Sequence, residues 1–174
     1  MLFLTVMPTL AQEKKTFKTV REYLNYAEKN FGIAPEEIYF VAESNTTVPP
    51  KKVSSLMFFQ DGQMAVFEDV VKVMQSSTST HATMQRVTPA AVRKTMFKDP
   101  LANTEFTNML TGEIYKPAKG EMVAVILMGQ ELDDASLEYL KGREGLSKTK
   151  GIKTLVVTVD ENDITELVKR KNSE

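Results

Sequence analysis

Apolar residues stand at helical spacing early in this chain and in unbroken runs late in it. Between residues 15 and 31, Phe17, Val20, Tyr23 or Leu24, Ala27 and Phe31 recur three or four apart, which predicts a helix with one apolar face. Gly32 follows, a residue suited to the left-handed step that ends helices. Pro35 opens a turn, and the aromatic and β-branched run 38–42 predicts a strand. Pro49 and Pro50 mark residues 44–50 as a loop, and 53–59 reads as the next strand.

Two patterns overlap after Asp61-Gly62. That pair between apolar runs is a hairpin signal. Met64, Phe67, Val70, Val71 and Met74 also form a helical stripe. The reading adopted is a short hairpin that leads into a helix near Asp69. Residues 76–80, Ser-Ser-Thr-Ser-Thr, read as an exposed linker. Thr88 and Pro89 are a cap and a first helical residue, with the helix expected to run to Phe97. Asp99-Pro100 stops it. Residues 104–110 are expected to form a further short helix, and 117–120 a turn.

Residues 122–128 and 154–159 are continuous apolar or β-branched runs, the pattern of strands buried on both faces. A helix carrying Ala135, Leu137, Tyr139 and Leu140 lies between them, capped by Asp133 or Asp134, and Ile164, Leu167 and Val168 mark a last helix. Strand, helix, strand and helix in that order predict a crossover between parallel strands. The expected fold is therefore α/β, a three-layer sandwich with a mixed, largely parallel sheet covered by helices on both faces.

Composition narrows the function classes. Hydrophobic residues make up 42% and charged residues 26%, which suits one globular domain over residues 12–174. A net charge of -1 gives no basic field for nucleic acid. The absence of cysteine excludes disulfides and thiolate metal sites, and the single histidine, His81, excludes His-rich ones. No 18-residue apolar run occurs, so no transmembrane segment is expected in the mature chain. Residues 1–11 are apolar and end in Thr9-Leu10-Ala11, with polar residues from Gln12 onward. That reads as a signal-peptide remnant lacking its basic part, and predicts a periplasmic or extracellular protein. A buried strand from Leu2 to Val6 is the alternative.

Carboxylates fall at the expected strand ends: Glu43, Asp61, Glu131, Asp133, Asp160 and Asp163. Ligands of open parallel sheets bind beyond the carboxyl ends of strands. Asp61, Asp160, Glu131 and Asp163 are thus the candidate ligands for Mg²⁺ or Ca²⁺, which take oxygen donors and would support hydrolysis. Acids at these positions also serve as helix caps and turn residues. Lys141, Arg143, Lys148 and Lys150 are the candidate anion-binding residues, against a role complementing a helix C-terminus. Residues 142–149 miss the phosphate-loop pattern because Ser147 replaces its second glycine and because the stretch follows a helix. The glycines there are expected to end that helix. His81 beside the hydroxyl tract has no nucleophile elbow to serve, and reads as an exposed loop residue. Asn45-Thr46-Thr47 matches a glycosylation acceptor.

Three functions remain open. The leading one is a non-enzymatic exported module that binds a protein or glycan partner in the cell envelope. The second is a divalent-metal hydrolase using the strand-end acids. The third is a structural α/β domain without an active site.

Overall fold

The computed structural model describes residues 15–41, 55–76, 78–130, 134–149 and 151–160. The apolar N-terminal segment, Asn45-Thr46-Thr47 and the last expected helix lie outside the described residues.

Helix α1 (Val20–Phe31) begins where the Thr19 hydroxyl accepts from the Glu22 N–H, and ends at Gly32, φ 63°, whose N–H reaches Glu28 O. A 3-10 turn (Pro35–Glu37) leads into β1 (Ile38–Phe40). Strands β2 (Leu56–Gln60) and β3 (Gln63–Val66) are joined by Asp61 and Gly62, both at positive φ, the two-residue hairpin turn that matches strand twist. Helix α2 (Phe67–Met74) follows, then α3 (Thr80–Met84), α4 (Pro89–Arg93) and β4 (Phe97–Lys98). A second 3-10 turn (Pro100–Asn103) precedes β5 (Phe106–Asn108) and β6 (Ile114–Tyr115). The C-terminal unit is β7 (Met122–Met128), α5 (Asp134–Ser147) and β8 (Ile152–Thr158). Among the described residues no helix is long and apolar enough to cross a membrane.

The strands form one mixed sheet in the order β4-β3-β2-β7-β8-β1-β5-β6. The expected crossover is there: β7 and β8 pair in parallel from Met122↔Ile152 to Met128↔Thr158, and β8 pairs in parallel with β1. The remaining pairings are antiparallel, so the sheet is parallel only at its centre. The reason is local. Tight turns at 61–62 and 109–113 fold β3 and β6 straight back onto their predecessors, whereas the crossover through the single helix α5 sets β8 parallel to β7.

Alternation along each strand divides the core in two. Met122, Ala124, Ile126 and Met128 of β7 face the helices, packing with Tyr23, Val70, Met84, Val92 and Leu140. Helices were expected on both faces, but every described helix packs on this one. The opposite face carries Met57, Phe59, Val125, Leu155 and Phe106, with Leu101 and Ala102 of the second 3-10 turn against it. Phe59 of β2 and Phe106 of β5 meet there with ring centroids 6.0 Å apart, although β7, β8 and β1 stand between their strands. Four strand spacings of ~4.8 Å in a flat sheet would hold them ~19 Å apart. Their contact requires strong coiling toward that face, in the sense that strand twist accumulates.

Four local expectations are corrected. Gly142 and Gly145 do not end α5; the helix runs through both. A Cβ on Gly142 would lie 2.5 Å from Met84 Sδ, and one on Gly145 2.9 Å from Gln85 Cγ, so the glycines let α3 lie close on α5. The hydroxyl tract is no linker: Ser79 caps α3, and the hydroxyls of Ser76, Thr78 and Thr83 bond one another. Helix α4 starts at the Thr88 cap as expected but stops at Arg93, because Phe97 pairs with Met64 in β4. Residues 106–108 are strand rather than helix: β5 pairs with β1 and β6, and the Asn108 side chain accepts from the N–H groups of Leu110 and Thr111 to make the turn.

Candidate functional site

The carboxyl ends of β7 and β8 carry a buried polar cluster. Asp160 follows β8 and is 8% exposed. Its Oδ2 accepts from the Tyr23 hydroxyl at 2.9 Å, and its Oδ1 accepts from the Gln130 N–H at 3.1 Å. Tyr23 and Thr158 hydroxyls are 2.6 Å apart, and Thr158 Oγ1 accepts from the Asp160 N–H. Tyr23 has one proton, which goes to the carboxylate, so Thr158 is the donor to Tyr23. Gly129 makes room for this: a Cβ there would stand 3.3 Å from Asp160 Oδ1 and 2.9 Å from the Val159 side chain. Burial, and after it the Asp160 charge, push the Tyr23 hydroxyl far above the usual tyrosine range. Tyr26 is raised by the same two causes in the same order. The Gln130 side chain clamps the Lys15 backbone on both sides, N–H to Oε1 at 2.8 Å and Nε2 to O at 3.0 Å. Each donor meets an acceptor within the cluster. It is the chemistry of a lock that ties α1 to the strand ends, with Tyr23 as its centre.

The expected carboxylate set is not brought together. Asp61 follows β2, which runs antiparallel to β7, so it lies beyond Met122, whereas Asp160 lies beyond the level of Met128. Six residue steps of ~3.3 Å, roughly 20 Å of strand, separate those two levels. No single ion spans that gap, and no group of three ligating side chains occurs among the described residues. Glu131 and Asp163 lie outside the described residues. Asp61 is instead a turn residue whose Oδ1 accepts from the Gly120 N–H.

The basic set is dispersed too. Arg143 turns inward and donates to Leu140 O in its own helix and to Phe31 O and Gly32 O, closing the C-terminal carbonyls of α1. Lys141 pairs with Glu138, and Lys148 with Glu144, on the exposed side of α5. Lys150 lies outside the described residues. Lys148 and Glu144 border a cleft of about 570 Å³ between α3 and α5, with His81 and Arg86 on its far wall and no phenylalanine or tyrosine. His81 is on helix α3 rather than in a loop, exposed, with Nε2 3.0 Å from Gln85 Nε2.

Sequence reasoning gave no sign of a second cleft, of about 380 Å³, where the coiled sheet brings the β2–β3 hairpin toward β6. Phe59 and the Tyr115 ring line it with Ile114, which is 45% exposed. The Tyr115 ring meets Tyr39 edge-on at 6.1 Å. Burial, and then the neighbouring Glu121 carboxylate, raise the Tyr115 hydroxyl far above its usual range. Glu121 also accepts from the Ala118 N–H at 2.9 Å, which holds the 116–121 loop. Gln60 bonds Gly120 O and Arg93, tying hairpin, loop and α4 together. The cleft is thus a hollow with an aromatic wall, within the size range of small-ligand sites. No signal in the linear sequence marks it, because it joins residues 59–62, 102–105 and 114–121 only through the coil of the sheet.

Compared with known protein families, curated proteins and solved structures, the chain matches none.

Proposed function

We propose that the chain is a non-catalytic module exported to the periplasm or cell exterior, where it binds a protein or glycan of the cell envelope through the cleft between the β2–β3 hairpin and β6. The observation that carries this reading is the aromatic wall of that cleft, in which the Tyr115 ring packs edge-on against Tyr39. The strand-end cluster supports it from the other side, since the Asp160 carboxylate and the Tyr23 hydroxyl serve each other. The apolar segment ahead of Gln12 supports export.

Co-sedimentation of the purified protein with washed envelope fractions tests this. The wild type is expected in the pellet, and Ile114→Asp, which puts a charge on the cleft rim, in the supernatant. Equal recovery of both proteins from the supernatant would return the chain to a purely structural domain. Turnover of phosphate or carboxylate esters by the wild type, lost on chelation, would overturn the non-catalytic assignment.

A further inference from the structure

Resting on the binding-module reading, we infer that the cleft between the β2–β3 hairpin and β6 takes a neutral pyranose ring of an oligosaccharide, stacked on Tyr115. Asp61, Glu105 and Glu121 line the cleft together with Lys116 and Lys119, so neither sign dominates and no field selects an ionic ligand. A half-buried tyrosine ring offers a flat apolar face with a polar tip, and a pyranose offers a flat C–H face rimmed by hydroxyls. The volume of about 380 Å³ is at the small end of ligand sites, roughly 300–1,000 Å³. Hydrogen-bonding groups of both senses line the cleft. The Asn103 amide has donors and an acceptor, the Thr104 hydroxyl has both, and the carboxylates accept. That mixture suits hydroxyls, each of which donates once and accepts twice.

Preorganisation is the second argument. The Tyr115 ring cannot swing away without leaving its edge-on contact with Tyr39, and Glu121 holds the adjoining loop at Ala118. A wall held in place before binding loses little side-chain freedom when the ligand arrives. The cleft between α3 and α5 is larger but is lined by His81, Arg86, Glu144 and Lys148 with no phenylalanine or tyrosine, so it serves as the internal control.

The test is amide chemical-shift titration of the full chain with maltotriose, cellotriose and chitotriose, up to about 10 mM, since single-ring stacking gives weak affinities. The expected result is saturable shifts at Gly62 and the 116–121 loop with at least one of the three. Tyr115→Phe keeps the ring and is expected to bind within about threefold of wild type, and Tyr115→Ala to bind roughly tenfold more weakly or not at all. Asn103→Ala, at an exposed position that leaves the core untouched, is expected to weaken binding several-fold, which keeps the test informative if Tyr115→Ala misfolds. Absence of shifts with all three sugars, shifts confined to residues 81–88, or wild-type affinity in both alanine variants overturns the saccharide assignment. The same samples go through envelope co-sedimentation. Retention that depends on Ile114, survives glycosidase and is lost to protease would refute the sugar and leave a binding module for protein. Loss of both signals would refute both.

Discussion

Replacing Tyr23 by Phe isolates the lock at the strand ends. The ring stays, with its edge-on contact to Phe17 at 5.0 Å, and one oxygen leaves. Asp160 Oδ2 then loses a donor 2.9 Å away, and Thr158 loses its acceptor at 2.6 Å. Tyr23 is fully buried and Asp160 nearly so, so bulk water does not replace the lost partner. Hydrogen bonds to charged groups contribute about 1.5–3 kcal/mol, and Thr158 can recover part of the loss by turning its proton to the carboxylate. The expected destabilisation is about 2 kcal/mol. Urea unfolding followed by circular dichroism measures it as a lower midpoint at unchanged slope. The Asp160→Asn variant closes a double-mutant cycle, in which a coupling energy of about 1 kcal/mol or more is expected for groups in direct contact. A Tyr23→Phe loss below about 0.5 kcal/mol, or no coupling with Asp160→Asn, would refute the reasoning that these groups depend on each other.

Further expectations follow from the same geometry. Asp61→Asn and Asp160→Asn should be additive within about 0.5 kcal/mol, because the two lie at opposite ends of the strands; strong coupling in the presence of Mg²⁺ would revive a shared ion. Gly142→Ala should destabilise by about 1–2 kcal/mol, the overpacking against Met84 outweighing a helix-propensity gain of about 1 kcal/mol; a higher melting temperature would show that Met84 yields freely. Thr154→Val should stabilise β8 by about 1 kcal/mol, since Thr154 Oγ1 is buried without a hydrogen-bond partner among the described residues, and a thermal melt reads the sign. Tyr23 and Tyr115 have folded-state hydroxyls raised above the unfolded value, so their contribution is full below about pH 10 and is lost as the pH rises beyond it. Tyrosinate absorbance from these two should therefore appear together with alkaline unfolding, and its appearance in a still-folded protein would contradict their burial.

Much of the backbone was legible because it is locally encoded. The run 122–128 coincides with β7, Gly32 ends α1, Asp61-Gly62 makes the hairpin, and Thr88-Pro89 opens α4. What escaped depends on partners distant in the chain. Gly142 and Gly145 look like helix stops until α3 lies on them. Arg143 looks like a surface cation until the end of α1 is placed beside it. Asp61 and Asp160 follow strands in the same way, and only the antiparallel register of β2 with β7 separates them. The cleft was hidden for a related reason: hydropathy gives which face of a strand is buried but not how far the sheet coils.

The absence of cysteine allows the most direct test, because any introduced thiol is the only one in the chain. Ala118→Cys on the exposed loop of the cleft and His81→Cys on exposed α3 are each labelled with a bulky maleimide and assayed for envelope retention. The account predicts that the label at 118 abolishes retention while the label at 81 leaves it intact. Retention unaffected at 118, or lost only at 81, would contradict the assignment of the binding site to the coiled end of the sheet.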